Sequence, residues 1–141
     1  MENMVKMKAK KVLITGGAGF IGSNLVNELV KKNHNVVVID DLSSGRKENI
    51  SPKAKFYKID VRSRKINEIF EKENPEIVFH FAARPLVEDA YNKPHEVIEV
   101  NIMGTVNILE ACRRQKNVEL IIVVSSDKAY GNSLKLPYQE I

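Results

Sequence analysis

The residues whose types and spacing can do chemistry fall in two stretches. Near the start, three glycines stand three residues apart: Gly16, Gly19 and Gly22. They lie between an apolar run, Val12–Thr15, and an amphipathic run, Phe20–Lys32. Glycine permits positive φ at a tight turn and lets a bulky anion come close to the backbone. A helix starting there offers free N–H groups and the positive end of its dipole. A plain turn needs no such arrangement, so the pattern predicts a pyrophosphate cradle. Near the other end, Val124-Ser125-Ser126-Asp127-Lys128 follows an apolar run. A hydroxyl at the C-terminal end of a central strand can hydrogen-bond an alcohol undergoing oxidation, and Ser126 stands there. Ser125 is placed to touch a cofactor. Asp127 and Lys128 form either an acid–base pair or an exposed loop ion pair.

These groups need elements to hold them. Val12–Thr15 reads as a first strand buried on both faces, and Phe20–Lys32 as a first helix with Ile21, Leu25, Val26, Leu29 and Val30 at helical spacing. Val36–Ile39 reads as a second strand, ending at Asp40-Asp41. Asp40 lies 18 positions after Gly22, near the distance at which an acid meets an adenosine ribose. Its carboxylate can accept from both ribose hydroxyls and would repel a 2′-phosphate, which favours NAD over NADP. Arg46 and Lys47 argue the other way, since a basic pair could meet that phosphate. Asp41, Ser43, Ser44 and Gly45, in the polar loop after the strand, join Phe20 and Ile21 as candidate cofactor contacts.

Lys55–Ile59 reads as strand three, Arg64–Glu73 as a helix, Ile77–Phe81 as strand four and Leu120–Val124 as strand five. Between the last two lies a helical region interrupted near Pro94, its second part running from His95 to Gln115. Alternating strands and helices predict an α/β fold: a Rossmann-type, doubly wound parallel sheet of order 3-2-1-4-5. The dinucleotide would lie across the strand ends, at the switch between strands 1 and 4. Gly104 would let its helix pack closely. Asn101 is either a backbone brace or a member of a proton relay, and His80 reads as a satisfied core histidine. His34 reads as a surface turn residue.

The 141 residues suit one domain, 43% hydrophobic and 28% charged. The net charge of +4 comes from scattered Lys and Arg without interleaved aromatics, which argues against nucleic-acid binding. A single cysteine, Cys112, allows no internal disulfide and fits a cytoplasmic location. No stretch approaches the ~20 apolar residues of a spanning helix, so no membrane role is expected. No metal-ligand spacing appears. Residues 1–10 read as a flexible leader to a domain spanning 11–141.

Several motifs together carry a resemblance. The three-three glycine spacing, with Thr15 before it and Phe20-Ile21 within it, resembles the short-chain dehydrogenase/reductase superfamily, in its extended branch of NAD-dependent epimerases and dehydratases. Asp60-Val61 resembles the pair whose acid holds the adenine amino group. His80-Phe81-Ala82-Ala83 resembles the strand-4 motif along the cofactor. Asn101-Ile-Met-Gly104-Thr resembles the fourth-helix signature. Val124-Ser125-Ser126-Asp127-Lys128-Ala-Tyr130-Gly131 resembles the active-site strand end, and Leu136-Pro-Tyr-Gln-Glu140 a short motif after it.

Within that branch, Asp127-Lys128 and Leu86-Val87 look like the nucleoside-diphosphate-glucose 4,6-dehydratases. The resemblance then implies transient oxidation of the sugar C4, loss of water across C5 and C6, and return of hydride to C6. Asp127 would be the acid and Lys128 the base or its orienter. A 4-epimerase is the near alternative, and a non-catalytic NAD-binding module the alternative from another class. The family's Tyr-x-x-x-Lys base is not found. Val61, His95 and Leu134 stand four residues after Tyr57, Tyr91 and Tyr130, and Tyr138 has no residue at that offset. The chain therefore resembles the first part of a longer enzyme, ending before the sixth strand and the substrate domain. The parent would bind a nucleotide sugar and form a homodimer.

Overall fold

The computed structural model describes residues 8–131 and 137–138. Most of the leader, and the 136–140 motif apart from Pro137 and Tyr138, lie outside the described residues. Five strands form one sheet: β1 (Lys11–Thr15), β2 (Asn35–Asp40), β3 (Lys55–Lys58), β4 (Ile77–His80) and β5 (Leu120–Val123). The helices are α1 (Phe20–Lys31), α2 (Lys65–Glu73), α3 (Val87–Asn92), α4 (Pro94–Ile98) and α5 (Thr105–Arg114). All pairings are parallel and the order is β3-β2-β1-β4-β5, as the alternation predicts.

Alternate side chains of each inner strand serve opposite faces. Val12, Ile14, Val36 and Val38 pack with Val26 of α1 on one side. Leu13, Val37, Ile39 and Val78 pack on the other with Ile66, Ile69 and Phe70 of α2 and Ile108 and Ala111 of α5. This two-sided burial explains why the central strands read as unbroken apolar runs. Cys112 belongs to the second cluster, where burial pushes its thiol up to about 11. Asn33 and Asn74 turn the chain out of α1 and α2 in the left-handed region, which Asn enters more easily than most residues.

Two features differ from the sequence expectation. The predicted 95–115 helix is three consecutive pieces: α4, a π-helical stretch (Glu99–Gly104) and α5. Within it the Thr105 hydroxyl donates to the Asn101 carbonyl at 2.7 Å, and Gly104 faces Val61 so closely that a Cβ would meet Val61 Cγ2 at 2.6 Å. Second, β5 is the sheet edge among the described residues, not a central strand. Its residues are 38–47% exposed, because its outer side has no partner strand there.

The opposite end of the sheet is laced by charge. Glu73, at the end of α2, is buried and accepts from Lys11 Nζ, Lys55 Nζ and the Tyr57 hydroxyl. Lys10 Nζ bridges Glu76 and Glu119, each at 2.8 Å, and its backbone N–H donates to His34 Nδ1 at 3.1 Å. Lys10 is therefore tied to the sheet although it falls within the expected leader.

Candidate functional site

The ends of β1, β4 and β5 stand in register. Thr15 pairs with His80, and His80 with Val123. The chain therefore leaves three adjacent strands at one edge, as the Gly16 turn, the Ala82-Ala83 loop and the Ser125–Lys128 segment. Adjacent strands lie ~4.8 Å apart, so the first and last of these are ~10 Å apart.

The glycine turn has steric reasons for two of its residues. Gly16 has a φ of 68°, and a Cβ there would meet the Ala82 nitrogen at 2.6 Å. A Cβ at Gly22 would meet the Gly16 carbonyl oxygen at 2.3 Å. The turn is thus folded against its own helix and against the neighbouring strand end. Gly19 is the N-cap of α1 and supplies no side-chain cap, and no acidic residue occupies the first turn. The N–H groups of that turn and the helix dipole are left for an external anion. Phe20 and Ile21 are exposed beside it, at 87% and 61%.

Asp40 is buried at the end of β2. Its Oδ2 accepts the Ala18 N–H at 2.9 Å and its Oδ1 the Leu42 N–H at 2.8 Å. One acceptor site on each oxygen is left, enough for the two ribose hydroxyls. The second bond holds Leu42 at a φ of 61°, a strained conformation that the sequence did not signal. Asp41 Oδ1 accepts from both the N–H and the hydroxyl of Ser43. Gly45 lies against Ala18, where a Cβ would meet the Ala18 carbonyl carbon at 2.8 Å. Ser44, Arg46 and Asn49 line a groove of about 400 Å³ with Ala18, Gly19 and Phe20. Lys47 is turned away over the Phe56 ring.

Asp60 is bound more fully than expected. Its two carboxylate oxygens accept from the Arg62 N–H, Nε and NH2 group, at 2.6–3.0 Å. The Arg62 guanidinium holds its carboxyl below the usual carboxylate range. An adenine amino group would compete with Arg62 for it. Val61 is buried under Gly104. Asn101 is a brace in this structure: Oδ1 accepts the Arg84 N–H at 2.8 Å, and Nδ2 donates to the Arg84 carbonyl at 3.1 Å. Arg84 itself bridges Asp41 at 3.6 Å and Glu96 at 3.1 Å, a crossing from the loop after β2 to α4 that its neighbours in sequence do not announce. Phe81 stacks on Phe79, and Ala82 donates its N–H to Thr15 Oγ1 at 3.3 Å. His80 is a satisfied core histidine, as expected.

At the third strand end, Ser125, Ser126, Asp127 and Lys128 are all exposed. The Ser126 hydroxyl caps a 3-10 turn (Asp127–Tyr130) by accepting the Lys128 N–H at 3.2 Å, and donates to Asp127 Oδ1 at 3.1 Å. Lys128 Nζ lies 3.4 Å from Asp127 Oδ2. The Ser126 hydrogen bond, with Lys128 beside it, holds the Asp127 carboxyl below its ordinary value. The Tyr138 hydroxyl donates to the Gly131 carbonyl at 3.1 Å, and its ring stacks on Tyr130. Among the described residues no His/Cys/Asp/Glu group could hold a metal, and no helix is long and apolar enough to cross a membrane.

A family model described as "NAD dependent epimerase/dehydratase family" matches residues 12–141. The chain belongs to the NAD-dependent epimerase/dehydratase family. It is 37% identical over 129 residues to a putative UDP-glucose 4-epimerase of Methanocaldococcus jannaschii, covering 92% of this chain and 42% of that protein. It is 38% identical over 143 residues to a dTDP-D-glucose 4,6-dehydratase of Dictyostelium discoideum, covering 95% of this chain and 33% of that one. Among solved structures, a UDP-glucose 4-epimerase of Thermotoga maritima with UDP-glucose superposes with a TM-score of 0.83 at 37% identity, covering 89% of this chain and 41% of that one. The chain thus spans about a third to two fifths of the length of these relatives. Most of the relatives are described as UDP-glucose 4-epimerases, which shifts the weight from the expected dehydratase toward its epimerase alternative.

Proposed function

We propose that this chain is the NAD-binding part of a nucleotide-sugar 4-epimerase. The observation that carries the reading is the glycine turn. It has no room for a Cβ at Gly16 or Gly22, opens an uncapped helix, and faces a buried Asp40 with one free acceptor site on each oxygen. The α1 N–H groups would hold the pyrophosphate and Asp40 the adenosine ribose. Phe20, Ile21, Ser43, Ser44, Ala82, Ala83 and Ser125 would line the path between them and the substrate. NAD, when bound, would supply the hydride acceptor for the sugar C4. Ser126, on the third strand end, would hydrogen-bond the C4 oxygen. The nucleotide sugar would be held largely by residues corresponding to the rest of the relatives' length.

The epimerase reading also fits the electrostatics of Asp127. A general acid must hold a proton, whereas Ser126 and Lys128 both favour the carboxylate. The dehydratase reading keeps one observation in its favour, the adjacent Asp127 and Lys128 side chains 3.4 Å apart, and it has the Dictyostelium relative behind it. A protein carrying this chain, given UDP-glucose and dTDP-glucose separately, is expected to form UDP-galactose. Formation of a 4-keto-6-deoxy sugar would instead establish the dehydratase. Calorimetric titration of the purified chain with NAD and NADP tests the cofactor, and tighter binding of NADP would refute the Asp40 assignment.

A further inference from the structure

One hydrogen-bond chain, buried at Thr15 and His80 and part-buried elsewhere, links the glycine turn, the strand-4 loop and the π-helical stretch. Thr105 Oγ1 donates to the Asn101 carbonyl at 2.7 Å. Its single proton is then spent, so toward His80 Nε2, 3.0 Å away, it can only accept. Nε2 must therefore carry a proton. His80 is 3% exposed, and burial pushes its imidazole down to about 4, so the ring is neutral near pH 7. A neutral ring protonated on Nε2 has a bare Nδ1, which accepts the Thr15 hydroxyl at 2.6 Å. Thr15 Oγ1 in turn accepts the Ala82 N–H at 3.3 Å. Every proton in the chain has one direction, and each step fixes the next.

The ends of this chain matter. Thr15 immediately precedes Gly16, whose missing Cβ would strike Ala82. Asn101, at the other end, clamps the Arg84 backbone in both directions. The path therefore closes on itself, from Ala82 through Thr15, His80, Thr105 and Asn101 to Arg84, two residues beyond its start. We infer that His80 is a positioning residue: as the Nε2–H tautomer it fastens the glycine turn and the Ala82–Arg84 loop to the π-helical stretch, and so holds that loop in place beside the turn that would cradle the dinucleotide. The inference rests on the NAD-binding reading for its functional consequence, though not for the tautomer itself.

The test has two independent parts. Long-range nitrogen-15 NMR of the histidine-labelled chain without NAD is expected to show His80 protonated on Nε2. Protonation on Nδ1 would overturn the inference outright. Thr105→Val removes the far link without altering either loop. It is expected to weaken NAD binding by roughly fivefold to tenfold in calorimetry, part of the cost of the two neutral hydrogen bonds it removes. Thr105→Ser, which keeps the hydroxyl, should restore the affinity. A folded Thr105→Val chain that melts lower but binds NAD as tightly as the parent would reduce the chain to ordinary core satisfaction and sink the positioning role. Failure of the unaltered chain to bind NAD refutes the cofactor reading instead, and the tautomer result then decides the fastening alone.

Discussion

Replacing Glu73 with Gln should remove a measurable pH dependence of folding. Glu73 is 3% exposed at the end of the sheet remote from the glycine turn. Burial by itself raises its pKa. Hydrogen bonds from Lys55, Tyr57 and Lys11 outweigh that and bring the carboxyl from 4.5 to about 2. A depressed folded-state pKa contributes stability that is fully present above the unfolded value. That stability drains away as pH falls from about 4.5 toward 2. At 1.36 kcal/mol per unit the shift corresponds to about 3 kcal/mol, an upper figure because Lys55 and Lys11 are 50% and 35% exposed and solvent screens them. Other carboxylates titrate in the same window, so the quantity to measure is the difference between Glu73→Gln and the parent. Urea unfolding followed by circular dichroism should show the parent more stable by about 2–3 kcal/mol at pH 7. The gap should shrink steadily below pH 4.5. A gap of constant size from pH 7 to pH 3 would refute the reasoning, because it would mean that Glu73 stabilises the fold by packing and not as an ionised group.

Other perturbations address the site. Gly22→Ala drives a methyl into the Gly16 carbonyl, a backbone atom that cannot swing aside. It should lower stability by about 1–3 kcal/mol and abolish detectable NAD binding, read by thermal shift with and without NAD. Asp40→Asn keeps one acceptor but leaves either the Ala18 or the Leu42 N–H unmet, so NAD should bind more weakly by calorimetry. With the negative charge gone, the preference for NAD over NADP should also narrow. Asp127→Asn, made in the whole protein, should leave C4 epimerisation nearly unchanged when sugar products are separated chromatographically. Loss of a dehydration activity would show that the Asp127 pair is catalytic after all.

The sheet was readable along the chain because each strand and helix announces itself within a few residues. Val12–Thr15, Val36–Ile39 and the apolar positions of α1 are local patterns, and βαβ geometry leaves few ways to order them. The glycine turn was equally legible, since Gly16 and Gly22 stand where a side chain cannot. The segment after Pro94 was less so. A π-helical stretch depends on where Thr105 and Asn101 meet and on how closely Gly104 can approach Val61, and periodicity alone does not register such contacts.

What the sequence determined by itself was the order of elements, the tight glycine turn after the first strand and the family. Those follow from burial periodicity and from residue types that only one backbone geometry tolerates. Only the tertiary structure decided which distant residues hold one another. Asn101 is taken by the Arg84 backbone, and Arg84 reaches Asp41 and Glu96. The Thr15, His80 and Thr105 chain joins residues 65 and 25 positions apart. Hydrogen bonds are short-ranged and directional, so partners this far apart in sequence are chosen by the fold.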